Sequence, residues 1–177
     1  MAFIGLYKKQ FHFLTKQGWY MYSQIWRSRI WGLVKRDKYG SQKQFCDELL
    51  EKSVEILRPF IEEKGINYIT CVPSIRSGIV FDFSKRLADA LNIEFVELLK
   101  KNNNTQQKDM LNSSYQCSNA MRSYSLLESV QVPDKILLVD DVVDSKWTLT
   151  VCGYCLSNGG CKEVYPFALA DSSQREC

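Results

Sequence analysis

The 177-residue chain has a single histidine, His12, and a single Cys-x-x-Cys pair, Cys152 and Cys155. Zinc-type sites draw on several such ligands at close spacing, so a metal or redox centre is the weaker reading. Both cysteines fall within a predicted helix and read as small core residues. No apolar run approaches the roughly 20 residues of a membrane span, which argues against a membrane partner. The apolar patch Phe3–Tyr7 is cut by Lys8 and Lys9 and lacks the layout of a secretory signal. Seven cysteines without a signal then read as free thiols in a reducing cytoplasm. The G-x-x-x-x-G-K-[ST] loop of motor NTPases does not occur, nor does any internal repeat or low-complexity tract. What remains is one ordinary globular domain, 45% apolar, large enough for a substantial core.

Charge is unevenly placed. Residues 1–43 hold nine Lys/Arg and one acid, a balance of +8, while the remainder holds 14 Lys/Arg and 19 acids, a balance of −5. The basic part also carries Trp19, Tyr20, Tyr22, Trp26 and Trp31. Basic residues interleaved with aromatics bind single-stranded nucleic acid through phosphate contacts and base stacking. They also make an amphipathic cover that packs its rings on a sheet and turns Lys and Arg to water. The division expected is a helical, basic, aromatic segment over 1–43 and a main domain over 44–177.

The main domain alternates helix and strand. Over 44–64, Phe45, Leu49, Leu50, Val54, Leu57, Phe60 and Ile61 recur at steps of three and four, and Gly65 closes a predicted helix. Residues 66–72 read as a strand stopped by Pro73. Ile79–Leu91 reads as a helix ended by Asn92, followed by a strand over 93–98. Further strands are expected at 123–127 and 163–170. Such alternation predicts an α/β fold with an open, mainly parallel sheet flanked by helices.

Ile136-Leu137-Leu138-Val139 is a short apolar run of the kind that forms a strand buried on both faces. Asp140 and Asp141 follow, then a polar turn, then Thr148-Leu149-Thr150-Val151 opening a helix. Open α/β sheets bind ligands at the carboxyl ends of their strands. Backbone N–H groups of such a turn, the helix N-terminus and the hydroxyls of Ser145 and Thr148 suit a phosphate. Two carboxylates suit hydroxyls or a Mg²⁺ that bridges to the ligand. A ribose 5-phosphate meets both demands. A second loop, Pro73-Ser74-Ile75-Arg76-Ser77-Gly78, also follows a strand. It suits another anion with Arg76 as a bidentate donor, or is an ordinary turn with a surface arginine. Residues 99–119 lose apolar periodicity and form a long polar segment, either functional or simply solvated.

The run Ile136–Thr148 resembles the phosphoribosyl-pyrophosphate signature of type I phosphoribosyltransferases. By that resemblance Asp140 and Asp141 lie at the ribose hydroxyls with Mg²⁺ held indirectly. Asp144, Ser145, Lys146, Trp147 and Thr148 bind the 5-phosphate. Ser74, Ile75, Arg76 and Ser77 occupy the pyrophosphate loop, and Lys100, Lys101 and Lys108 belong to a flexible hood that closes over the sugar. Lys146 and Trp147 stand where the family usually has glycine.

A longer set is similar to the phosphoribosyltransferase-like appendage of bacterial RecQ-family DNA helicases, and its middle part to the competence-type phosphoribosyltransferases. The set comprises Trp31-Gly32-Leu33-Val34-Lys35 with Lys38-Tyr39, Phe45–Leu49, Cys71–Ser77, Gln106–Ser113, Val139–Thr150 and Tyr165–Ala170. The resemblance implies a phosphoribosyl-pyrophosphate-binding protein in DNA metabolism. Two classes follow: a transferase that displaces pyrophosphate, or a pocket that binds without turnover. The second would sense a nucleotide or grip a 5-phosphorylated nucleic-acid end beside a helicase, with 1–43 holding single-stranded DNA.

Overall fold

The computed structural model describes residues 24–40, 44–75, 77–102, 123–143 and 147–171. Helices α1 (Gln24–Tyr39), α2 (Asp47–Lys64), α3 (Ile79–Leu91) and α4 (Trp147–Asn158) surround strands β1 (Tyr68–Cys71), β2 (Glu94–Phe95), β3 (Leu99–Lys101), β4 (Tyr124–Leu126), β5 (Lys135–Val143) and β6 (Glu163–Asp171). Four strands form a parallel sheet in the order β2-β1-β5-β6. This is the open sheet flanked by helices that alternation predicts.

The expected 44–64 helix starts three residues late. Cys46 stays extended at φ −66° and ψ 158° and caps it, and Asp47 and Glu48 fill a first turn that favours acids. Phe45 instead turns into the core, edge-on to Phe83 at 5.6 Å. Arg86 of α3 donates to the Phe45 carbonyl at 2.6 Å and pairs with Asp47, which fastens α3 to the start of α2. Two helix ends fall where the sequence puts them. Gly65 (φ +65°) and Asn92 (φ +57°) take the left-handed turn that lets the chain leave a helix.

β5 runs on through Val143, four residues past its apolar run. Its partner β6 continues beside it, with Asp140 opposite Ala168 and Val143 opposite Asp171. The strand expected at 93–98 shrinks to Glu94–Phe95. The strand at 123–127 does not join the main sheet. Tyr124–Leu126 pairs antiparallel with Leu99–Lys101, so a hairpin stands where an extended loop was expected to begin.

The sheet has a core on each face. On one side Leu137 and Val139 meet Val34, Leu49, Phe83 and Leu87 from α1, α2 and α3. On the other, Ile136 and Leu138 meet Leu149, Cys152 and Leu156 of α4 and Tyr124 of the hairpin. Connections between parallel strands are right-handed. β1 hands the chain to β2 on one side and β5 hands it to β6 on the other, so α3 and α4 cover opposite faces. The strand order reverses between β1 and β5, and it is outside the carboxyl ends of strands at such a reversal that open α/β sheets form a ligand crevice.

Candidate functional site

β1 ends at Cys71, opposite Val139, and the last rung is the Val72 N–H donating to the Val139 carbonyl at 2.8 Å. Asp140 and Asp141 come next on β5. They therefore emerge beyond the end of β1, at the reversal of strand order. The chain leaving β1 passes through Pro73–Gly78 into α3, and the chain leaving β5 enters α4 at Trp147. Two helices thus follow directly on the strands that end at this rim, and a helix N-terminus carries positive partial charge.

The two acids differ. Asp141 is 8% exposed and pairs with Lys38 of α1, Nζ to Oδ2 2.8 Å. Asp140 is 9% exposed, and its Oδ1 accepts the Asp141 N–H at 2.8 Å. Burial, then the neighbouring Asp141 charge, push the Asp140 carboxyl up to about 7, against the opposing pull of that N–H and of Lys38. Face alternation along β5 changes phase at the pair, since Val139 and Val142 both pack on the α1–α3 core while Val143 packs on the α4 core. Asp140 lies close enough to raise the thiol of Cys71, which burial above all pushes up to about 12.

Tyr124 of β4 flanks the same rim. It is buried, with its phenol pushed up to about 12, chiefly by burial and against the opposing influence of the nearby Thr148 side chain. Lys101, paired across the hairpin with Tyr124, holds Nζ 5.4 Å from that ring's centre. Lys100 points to the other face and binds Glu128 at 3.2 Å. The hood lysines therefore part company: Lys101 stands on the Tyr124–Thr148 side and Lys100 does not. Both sit on a paired strand.

In the first loop, Ser74 and Ile75 are exposed and Ser77 Oγ accepts the Ile79 N–H at 3.2 Å, tying down the start of α3. That hydroxyl keeps its own O–H to donate. Arg76, Lys108, Asp144, Ser145 and Lys146 lie outside the described residues. Trp147 and Thr148 form the first turn of α4, both half-buried.

Cys152 is fully buried in the α4 core with its thiol pushed up by burial, and Cys155 S–H donates to the Tyr124 carbonyl at 3.6 Å. Both are core residues of α4. Of the basic aromatic segment, Trp31 packs on the α1–α3 core with Lys35 Nζ 4.8 Å over its ring, as an amphipathic cover does. Trp19, Tyr20, Tyr22 and the Trp26 side chain lie outside the described residues. Among the described residues no helix is long and apolar enough to cross a membrane.

Two residues at the site escape a reading by motif. Lys38 stands four positions after the wholly buried Val34, on the same helical face. A lysine on an apolar stripe is the signal that would have found it. Tyr124 follows a long polar segment, and nothing in its neighbourhood marks it.

No protein-family model matches the chain, and no curated protein matches it. Solved structures with a similar chain path include a purine phosphoribosyltransferase from Pyrococcus horikoshii, 18% identical over 76% of this chain and 81% of that one, TM-score 0.49. A hypoxanthine-guanine phosphoribosyltransferase from Bacillus anthracis is 20% identical over 73% of this chain and 71% of that one, TM-score 0.47. The allosteric regulatory enzyme of purine biosynthesis is 20% identical over 68% of this chain, which spans only 26% of that enzyme, TM-score 0.47.

Proposed function

We propose that this chain binds phosphoribosyl pyrophosphate, or a related ribose 5-phosphate compound, in the crevice between β1 and β5, and acts on it as a phosphoribosyltransferase. The observation that carries the reading is the pair Asp140–Asp141 standing past the end of β1, where the strand order reverses and two helices begin. A vicinal diol is a natural partner for a carboxylate there. Helix starts and hydroxyls favour phosphoryl groups on either side of it.

In this reading Asp140 faces the ribose diol, Thr148 and the 144–147 segment take the 5-phosphate, and Ser74–Ser77 with Arg76 take the pyrophosphate. Lys101, with Lys108, adds positive charge near the departing pyrophosphate as the ribose exchanges it for a base nitrogen. Mg²⁺ prefers one or two carboxylates plus the phosphates of its ligand. The buried oxygens of Asp140 fit that demand, whereas Asp141 already holds Lys38. Bound there, Mg²⁺ would offset charge on the leaving group.

The link to DNA metabolism rests on the sequence resemblance of 31–170 to the helicase appendage. It is tested by fluorescence anisotropy with single-stranded DNA. Calorimetry with phosphoribosyl pyrophosphate and Mg²⁺, followed by pyrophosphate release over a panel of bases, tests the main reading. Binding with release is expected; binding without release leaves a sensor of phosphoribosyl compounds. The double variant Asp140→Asn, Asp141→Asn is expected to lose ribose-ligand binding and keep a native circular-dichroism spectrum. Unchanged affinity in that variant would place the ligand elsewhere.

A further inference from the structure

α1 buries Val34 completely, and Ile30, Trp31 and Leu33 pack against the same core. Lys38 lies one turn on from Val34, where the stripe calls for an apolar side chain. Its ammonium instead reaches the twin acids, 2.8 Å from Asp141 Oδ2. Two contacts fix the helix that carries it. Asp37 Oδ2 accepts the Cys46 N–H at 2.8 Å, and Arg29 pairs with Glu48 at 2.7 Å. The ammonium is therefore presented by an anchored element. Its side chain remains 29% exposed, so solvent, or a ligand at this rim, can still reach it.

A phosphoribosyl ligand brings anionic oxygens to a rim that already holds two carboxylates. Like charges at such distances repel strongly in a partly buried site. Something cationic must stand between them. A lysine ammonium has three N–H donors, and one spent on Asp141 leaves two.

We propose that Lys38 is a ligand-binding residue whose ammonium bridges Asp141 to the anionic oxygens of a phosphoribosyl ligand, filling the cationic place beside that carboxylate which a divalent metal ion would otherwise take. The proposal rests on the crevice being a phosphoribosyl site, and it makes α1 part of that site. It predicts that binding depends only weakly on added divalent cation.

The test is calorimetry of the full chain with phosphoribosyl pyrophosphate, in Mg²⁺ and in EDTA. Wild type, Lys38→Met, Lys38→Gln and Lys38→Arg are compared, each checked by circular dichroism and melting. Wild-type affinity is expected to change by less than about tenfold on chelation. Lys38→Met and Lys38→Gln should lose at least about tenfold in EDTA, the scale of one charge-assisted hydrogen bond. Mg²⁺ should recover part of that loss, and Lys38→Arg should retain most of the affinity.

A second readout needs no phosphoribosyl ligand. Electron paramagnetic resonance of added Mn²⁺ should show tighter ion binding to Lys38→Met or Lys38→Gln than to wild type, because Asp141 is released. If either folded neutral variant binds the ligand as wild type does in EDTA, the role of Lys38 is refuted while the phosphoribosyl reading stands. Equal Mn²⁺ binding, or wild-type binding that vanishes on chelation, also refutes it. A wild-type chain that binds no phosphoribosyl pyrophosphate in either buffer refutes both.

Discussion

Asp37 does for the scaffold what its neighbour Lys38 does at the site. Its carboxylate is buried, accepts the Cys46 N–H at 2.8 Å and the Arg36 Nε–H at 2.7 Å, and so joins the end of α1 to the cap of α2. Burial alone would raise its pKa, but the hydrogen bonds from Arg36 and from Cys46 together outweigh it, and the value falls below the ordinary one. A carboxylate lowered in the folded state adds stability that is fully present above its unfolded value of about 3.9. That stability is lost as pH falls through the folded value. Asp37→Ala should therefore cost about 1–3 kcal/mol at pH 7, the penalty of leaving a buried N–H unsatisfied. Urea unfolding measures it, and the gap between the two proteins should narrow below about pH 4. A gap that stays constant into acid would mean that Asp37 contributes through packing alone. Neither Asp37 nor Lys38 was legible in its role, because Asp37 works by bridging the gap between two helices and Lys38 through a partner far along the chain. The twin acids were legible as a pair following the apolar run of a strand; that one of them holds a lysine was not.

At the scale of elements, what was readable is what local chemistry decides. α3 covers Ile79–Leu91 as its apolar spacing predicts, because one face of Ile79, Phe83 and Leu87 repeats with the helical period and Asn92 closes it. Gly65 closes α2 by the same device at φ +65°, with open space around a would-be Cβ. The cost of a side chain there is purely conformational. Gly65→Ala should destabilise by about 1–2 kcal/mol, whereas Asn92→Gly should be neutral or slightly stabilising. Thermal melts of the two variants check both signs, and a harmless Gly65→Ala would mean that the end of α2 can relax.

Strands were less readable for a physical reason. The apolar run of β5 ends at Val139, but pairing with β6 carries the strand past two aspartates to Val143. Tyr124–Leu126 has the composition of a sheet strand, yet its partner is Leu99–Lys101 and it forms a separate hairpin. Gly159, at the end of α4, helps that hairpin dock. A Cβ there would stand 2.4 Å from Leu126 Cδ1. Pairing partners are chosen by the tertiary structure and leave little trace in a strand's own residues.

On the scale of the molecule, the question is whether the basic segment is an appendage or a part of the fold. Counting charge along the chain favours a break near residue 43. The contacts of α1 place Val34 in one core with Leu49, Phe83 and Leu137. Complete burial of a valine is worth about 1.5–3 kcal/mol, and the half-buried Ile30, Trp31 and Leu33 add to it. A chain beginning at residue 44 should therefore lose several kcal/mol and melt about 10 °C lower, at roughly 2–4 °C per kcal/mol for this size. It also loses Lys38, so weakened ligand or DNA binding in that truncation has three explanations at once: a missing ammonium, a missing arm and an unstable fold. Truncation before Gln24 separates them, since it keeps α1 and all the contacts described above. If single-stranded DNA binds through 1–23, that shorter deletion should reduce affinity and salt dependence while phosphoribosyl binding persists. Equal melting of the 44–177 chain and the full chain would show instead that α1 lies outside the cooperative unit, and Lys38 would then reach Asp141 from a helix that folds and docks on its own account.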